Sequence, residues 1–494
     1  MKLDRFQFTA IALCVLLWGL GLAAYPLMES TEARYGSISA AMVRTGNWIE
    51  PMFNGVPHLS KPPFAYWTGA VALSLVPGSA TGSFPYSEVP LRLMSTAWLV
   101  VCALLTGRLA RAAGLSRSAS RWASAVSFLS PLAVVQGHMN TGDLYLWAGV
   151  LLVMLGWLES ERTSRQRALL IGAGWAIGFL AKGHMVLFWT LLPAFVATAV
   201  LRRRYYFERI ADPTAPEETA PSWRRSLLHP LAWLVFLVAS VPWFAAILHR
   251  HPELASYWLK DEIVARVVST DHGRAEPWWY FLPMVPLLVL PWLPELWKGI
   301  RRGHGSNVHR WTWVVWILMP LVVFSMSGSK RPNYLLPMVT PLALFVASAL
   351  HGAHPAAGWR RVLGPRIRTV VWLGFVLTVP FVIASNCFAP DTRAMVEGAG
   401  AKGGPLVCFG TEPTGVSFYR GDVVPVYGHQ RMSPFAPALD PDEERRQVQA
   451  WAGKGAVFLV PNDAVGRLTD MVGAPAASSR EGLGHQLVRF HANP

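Results

Sequence analysis

Two carboxylates, an arginine and a tyrosine open the first stretch of this chain that is not apolar: Glu29, Glu32, Arg34 and Tyr35. The same stretch continues through Gly46-Asn47-Trp48 and Asn54-Gly55 to Ser60-Lys61-Pro62-Pro63. Ionisable groups held beside a bilayer are costly, and their default reading is functional. A carboxylate at such a surface can act as a general base toward an acceptor hydroxyl or amine. Glu32 and Glu29 have the type and place for that role. The same spacing also allows an ion pair with Arg34, or acids at the start of a helix over 35–44. Lys61 stands beside a segment opened by Pro62-Pro63, which suits a helix N-terminus. A lysine there makes a phosphate site, or simply snorkels to the interface.

Further polar groups interrupt the apolar pattern downstream. Asp143 follows Met139-Asn140-Thr141-Gly142 between two apolar windows. It reads as a carboxylate aimed at a site, or, with Thr141, as a helix N-cap. Loop 249–277 carries His249, Arg250, His251, Lys260, Asp261, Glu262, Arg266, Asp271, His272 and Arg274, then Pro277-Trp278-Trp279-Tyr280. It reads as a clamp on an anionic lipid head group, with arginines neutralising phosphate, or as a wet loop with interface aromatics. Ser325 to Tyr334 includes Ser329, Lys330, Arg331 and Asn333. Lys182-Gly183-His184 is a similar turn with a weaker signal.

The elements that must hold these groups are membrane helices. The chain has 494 residues, 52% of them hydrophobic and only 15% charged, which suits a polytopic membrane protein. Its net charge of +15 would suggest nucleic acid in a soluble protein. Here basic cytoplasmic loops account for it, and no basic module interleaved with aromatics is visible, so no nucleic acid is expected. Apolar windows of helical length recur at 8–27, 91–110, 122–138, 143–158, 168–181, 185–201, 229–248, 278–297, 312–327, 333–350 and 369–387. With the N-terminus cytoplasmic, the alternate segments 108–121, 159–167, 202–225, 298–310 and 360–368 are all basic, as inside loops should be. Residues 63–77 break this alternation and read instead as an amphipathic helix in the outer interface, with Tyr66 and Trp67 at its start. The expected fold is therefore a polytopic α-helical membrane protein with eleven spans, within a range of about 11–13, over residues 1–387. Its outer loops are 28–90 and 249–277.

Residues 388–494 differ. Short apolar runs at 405–409, 423–427, 456–460 and 486–490 alternate with helical patterns at 442–451 and 463–472. That predicts a small α/β domain on the outer side. Cys14 and Cys102 lie in apolar runs, while Cys387 and Cys408 could face an oxidising compartment and pair.

Taken together, the motifs resemble the bacterial aminoarabinose transferase and protein mannosyltransferase superfamily. The resemblance rests on Thr31-Glu32-Ala33-Arg34-Tyr35, Gly46-Asn47-Trp48, Pro51, Asn54-Gly55, Lys61-Pro62-Pro63 and Tyr66-Trp67. The later stretches Pro277-Trp278-Trp279-Tyr280 and Phe324 to Pro337 follow in the same order. It implies the GT-C fold and an inverting transfer of an aminoarabinose-like or mannose-like sugar from a polyprenyl-phosphate donor. The acceptor would be lipid A, another glycolipid or a protein. The site would face the periplasm from the bacterial inner membrane. By resemblance Glu32 is the catalytic acid, with Glu29 as alternate and Asp143 in support. Lys61, Arg34, Arg266, Arg274, Lys330 and Arg331 would hold the donor phosphate, and Tyr35, Tyr66, Tyr280 and Tyr334 would bind substrate. Relatives often carry Asp-Glu where this chain has Thr31-Glu32, and Glu where it has Ser60. No cofactor is read from the residues; a divalent metal stays open, with Glu262 and His272 as its candidates. A transporter or flippase for an anionic lipid is the competing reading. It would place its charges near the bilayer midplane, often on repeated halves, whereas here the charges gather in outer loops.

Overall fold

A backbone surrounded by lipid must close its own hydrogen bonds, so long apolar segments fold as packed helices. The computed structural model describes residues 18–76, 85–159, 161–211, 223–260, 276–302, 307–350, 372–374, 391–400, 404–481 and 484–491. After the first apolar window come α1 (Thr31–Thr45), a hairpin of β1 (Met52–Phe53) and β2 (Val56–Pro57), and α2 (Phe64–Leu75). Then follow α3 (Glu88–Ala112), α4 (Arg117–Phe128), α5 (Pro131–Gly137), α6 (Asp143–Leu158), α7 (Ser164–Lys182), α8 (Met185–Ala211) and α9 (Pro230–Arg250). Later come α10 (Leu293–Arg302), α11 (Asn307–Met326) and a 3-10 stretch, Pro332–Met338, which runs into α12 (Val339–Leu350).

Among the described residues, Glu88–Ala112, Met185–Arg203, Pro230–Arg250 and Pro332–Leu350 are long and apolar enough to cross a bilayer. Their outward faces are apolar: Leu104 is 64% exposed and Val238 66%. Such faces suit lipid and not water, so the chain is an integral membrane protein.

Two expected spans are not single helices. The window 122–138 breaks at Ser130, because Pro131 lacks an N–H and starts a new helix instead of continuing the old one. The window 278–297 contains Pro283, Pro286, Pro291 and Pro294, and it resolves into turns, a four-residue helix, a 3-10 turn and the start of α10. Half of the window 8–27 and most of 369–387 lie outside the described residues. Of the window 63–77, Phe64–Leu75 form a helix, α2, but it is apolar with no marked polar face, so the amphipathic character expected there is not found.

The pair α6 and α7 sets the frame of the site. They form an antiparallel helical hairpin packed backbone to backbone. A Cβ on Gly149 would sit 2.5 Å from the Gly174 carbonyl and 2.9 Å from the Gly178 nitrogen. Small residues thus let the two helices approach closely where lipid offers no hydrophobic drive. Around them six tryptophans, Trp147, Trp157, Trp175, Trp189, Trp292 and Trp316, are fully buried.

The tail carries a five-stranded sheet in the order β4-β3-β5-β7-β6. The strands are β3 (Leu406–Phe409), β4 (Val426–Tyr427), β5 (Val457–Pro461), β6 (Ala477–Glu481) and β7 (His485–Arg489). β3 pairs in parallel with β4 and β5, while β7 runs antiparallel to β5 and β6. The expected helices are present as Pro441–Gly453 and Val465–Val472. Asp440 caps the first by accepting from the Asp442 and Glu443 N–H groups. Strand β6 was not legible, because Ala477 to Glu481 alternates no large apolar residues. Cys408 is a buried free thiol among the described residues, and Cys387 lies outside them.

Candidate active site

Asp143 is the first residue of α6 and Lys182 the last of α7. An antiparallel hairpin brings such ends together, and Lys182 Nζ lies 2.5 Å from Asp143 Oδ1. The acid at a helix N-terminus and the cation at a helix C-terminus also match the two dipoles. Asp143 makes no capping bond; the N-cap position is Gly142. Its side chain faces other elements instead. Asn333, in the 3-10 stretch, donates to Oδ1 at 3.0 Å. Thr141 has one hydroxyl proton and two acceptors, Gln136 Oε1 at 2.6 Å and Asp143 Oδ2 at 3.2 Å. The shorter contact takes the proton, which leaves lone pairs on Oδ2.

These groups border a cavity of about 630 Å³. Its lining combines polar groups, Ser60, Lys61, Asp143, Lys182, His184 and Asn333, with the aromatic rings of Phe179, Phe188, Phe244, Trp258, Phe324 and Tyr334. Asp143 is the single carboxylate among the lining residues. A mostly apolar cavity that also presents cations fits an amphiphile with an anionic head.

Ser60 and Lys61 reach the cavity from the strap that follows the β1–β2 hairpin. Asn54 and Gly55 both have positive φ, 47° and 84°, as a tight Asn-Gly turn requires. His58 N–H donates to the Pro51 carbonyl at 2.8 Å, and Trp258 Nε1 donates to the Leu59 carbonyl at 2.7 Å. His58 is buried and its pKa is lowered to about 3, first by burial and then by Arg34 and Lys61. Its Nε2 is 2.9 Å from Ser60 Oγ.

Glu32 lies away from the cavity, fully buried against Arg92 of α3. Arg92 Nε donates to Oε1 at 2.8 Å and Nη2 to Oε2 at 3.0 Å, and the Met28 N–H also donates to Oε2. A carboxylate so occupied has no access to a substrate proton. Glu29 reaches the tail: it accepts from the Thr414 N–H at 2.8 Å, the Gly415 N–H at 2.9 Å, Thr392 Oγ1 at 2.9 Å and Thr414 Oγ1. It latches the first loop to the tail, through the turn after β3 and Thr392, and does not line the cavity. Lys330 Nζ donates to the Glu276 and Ser327 carbonyls at 2.8 and 2.7 Å, so it pins two backbone segments. Its neighbour Ser329 lines the cavity. Arg34 is half-buried, and its Nε is buried without a hydrogen-bond partner among the described residues. Tyr35 and Tyr66 pack against each other with ring centroids 4.8 Å apart and planes tilted by 51°, and neither lines the cavity. Tyr280 packs on Phe281, and Arg331 is half-buried off the cavity. Only Tyr334 of the four tyrosines lines the cavity.

Glu262, Arg266, His272 and Arg274 lie outside the described residues. In the described part of that loop, His251 Nε2 is 2.7 Å from Glu50 Oε1, and Arg250 is 3.6 Å from Glu50 Oε2. Among the described residues no group of three His, Cys, Asp or Glu is spaced to hold a metal. Sequence reasoning passed over Arg92, although an arginine at the edge of an apolar window demands a buried partner. It also gave Lys182 too little weight: the signal was its place opposite Asp143 across two helices of similar length.

The model of the dolichyl-phosphate-mannose-protein mannosyltransferase family matches residues 6–258, just over half of the chain. An undecaprenyl phosphate-α-4-amino-4-deoxy-L-arabinose arabinosyl transferase of Pseudomonas fluorescens is 30% identical over 365 residues, covering 70% of this chain and 60% of its own. One from Shewanella sediminis is 28% identical over 375 residues, covering 73% and 62%. The chain thus spans about three fifths of the length of these relatives. Among solved structures, ArnT from Cupriavidus metallidurans bound to undecaprenyl phosphate superposes with a TM-score of 0.76 at 21% identity, over 98% of this chain and 97% of that one. An oligosaccharyltransferase of Archaeoglobus fulgidus superposes with a TM-score of 0.52 at 11% identity, over 93% and 70%. The fold is that of the GT-C membrane glycosyltransferases.

Proposed function

We propose a function from one premise: the chain belongs to the dolichyl-phosphate-mannose-protein mannosyltransferase family. It transfers a sugar, aminoarabinose-like or mannose-like, from a polyprenyl-phosphate donor to a lipid A, glycolipid or protein acceptor. The work is done at the periplasmic face of a bacterial inner membrane, with residues 388–494 folded outside the bilayer. The observation that carries this reading is the cavity, whose lining joins aromatic rings to Lys61, Lys182, His184 and one carboxylate, Asp143.

The chemistry is a single displacement. The acceptor oxygen or nitrogen forms a bond to the anomeric carbon as the bond from that carbon to the phosphate oxygen breaks. The electron pair leaves with polyprenyl phosphate, whose new charge Lys61 and Lys182 offset. Asp143 Oδ2 takes the acceptor proton, while Lys182 and Asn333 hold Oδ1 and so fix the carboxylate plane. Attack opposite the leaving group inverts the anomeric centre. Glu32 holds the first loop through Arg92, and Glu29 holds it to the tail.

The test is a proteoliposome assay with a radiolabelled polyprenyl-phosphate sugar. Label moving to an acceptor with release of polyprenyl phosphate, lost in Asp143→Asn, upholds the reading. Label that only changes leaflet, unaffected by that substitution, overturns it in favour of a flippase.

A further inference from the structure

His58 and Ser60 have no part in the displacement above, yet Ser60 lines the cavity and His58 is 4% exposed directly behind it. The two side chains meet at 2.9 Å, His58 Nε2 to Ser60 Oγ. Which atom donates decides what the serine can do. If Ser60 gave its proton to the ring, His58 would carry its own proton on Nδ1. That N–H would be a buried donor with no acceptor, since Nδ1 has no hydrogen-bond partner among the described residues. An unmet buried donor is costly. Two cations, Arg34 and Lys61, also act on this ring. A bare lone pair on Nδ1 suits their positive potential better than an N–H bond does. The half-buried guanidinium of Arg34, with no carboxylate partner among the described residues, points to the same electrostatic preference. Nε2–H is therefore the donor and Ser60 Oγ the acceptor.

The hydroxyl proton of Ser60 is then left for the cavity, whose lining it shares with Lys61 and Lys182. We propose that Ser60 is a hydrogen-bond donor to a phosphate oxygen bound in this cavity, and that His58 is the positioning residue that turns its hydroxyl inward. The backbone of the strap supports the assignment. It is tied at His58 N–H and at the Leu59 carbonyl, so Ser60 is held at a fixed place on the wall. A neutral imidazole suits the task, because a third full positive charge beside Arg34 and Lys61 would repel both. The ligand class is a phosphate monoester or diester carrying an apolar chain. The inference rests on the donor reading of the cavity given above.

The experiment is a binding titration on the purified full-length chain, followed through the intrinsic fluorescence of Trp189 and Trp258, which line the cavity. Undecaprenyl phosphate and inorganic phosphate are the two probes. Ser60→Ala is expected to weaken undecaprenyl phosphate by about tenfold to a hundredfold, the range for a hydrogen bond to a charged group. Ser60→Thr, which keeps the hydroxyl, restores most of the loss. His58→Gln, which keeps an N–H donor near the Nε2 position, binds close to wild type, whereas His58→Leu weakens binding like Ser60→Ala. The double variant His58→Leu/Ser60→Ala is no weaker than Ser60→Ala alone, because the ring acts only through the hydroxyl. A merely structural histidine would give additive losses and no rescue by Gln. Wild-type affinity in Ser60→Ala, or additive losses in the double variant, overturns the assignment and leaves the donor reading intact. A wild-type chain that binds inorganic phosphate but not the lipid, with that binding lost in Ser60→Ala, upholds the subsite and overturns the lipid reading. A wild-type chain that binds neither probe overturns both.

Discussion

Glu32→Gln separates a structural acid from a catalytic one. Glu32 and Arg92 have side chains 0% exposed, joined by two hydrogen bonds of 2.8 and 3.0 Å. The remaining guanidinium protons go to the carbonyls of Leu22, Tyr25 and Pro26 at 2.7, 2.8 and 3.0 Å. Arg92 therefore ties the end of the first apolar segment to α1 and α3, and it needs a counter-charge to stay buried. Glutamine keeps the shape but removes that charge and turns an –NH₂ toward the arginine. Breaking one side of a buried pair costs about 3–5 kcal/mol, because the other charge is left uncompensated. The loss falls on stability, since neither residue lines the cavity. In detergent, thermal unfolding followed by tryptophan fluorescence is expected to move to clearly lower temperature in Glu32→Gln. Sugar transfer normalised to the monodisperse fraction is expected to hold. The double variant Glu32→Leu/Arg92→Met should regain most of the loss, as apolar replacements of whole buried pairs do. Wild-type unfolding combined with abolished transfer in Glu32→Gln would place the residue in the chemistry and refute this argument.

Three further outcomes follow from the same geometry. Asp143→Asn should lower the turnover number by about a hundredfold or more, the usual worth of a general base, while undecaprenyl phosphate still quenches the cavity tryptophans; turnover within the error of wild type would remove Asp143 from the reaction. Glu29→Ala deletes the acceptor of four hydrogen bonds from Thr392, Thr414 and Gly415. With a charged acceptor worth about 1.5–3 kcal/mol per bond before compensation by water, limited proteolysis should cleave the tail faster than in wild type, and an unchanged rate would deny the latch. His58 is neutral in both folded and unfolded chains above its ordinary pKa of 6.5. Below it only the unfolded chain takes up the proton until pH about 3. Stability is therefore fully present above 6.5 and falls with acid by about 1.4 kcal/mol per pH unit, roughly 2 kcal/mol by pH 5. His58→Gln should flatten that limb in a series of melting curves, and an identical slope in the variant would show that the ring does not supply it.

Local pattern carried much of this protein. Apolar windows long enough to span a bilayer fix helices, because lipid leaves the backbone no other partner. Asn54-Gly55 fixes a tight hairpin through two positive φ values, and four of the five tail strands show as apolar runs. Asp143, Lys61 and Tyr334 could be picked out by type and place, and the structure brings all three to one cavity. What the sequence could not decide was pairing across distance. Glu29 stands 385 residues from the Thr414 N–H that it holds, and Glu32 stands 60 from Arg92. Both look like loop acids until their partners are known, and only packing assigns the partners. Lys182 reaches Asp143 because two glycine-faced helices run antiparallel at contact distance. The prolines at 131 and within 283–294 were visible in the letters, yet hydropathy alone averaged over them. Composition and period act through near neighbours; burial, ion pairing and the shape of a cavity are properties of residues that only the folded chain makes neighbours.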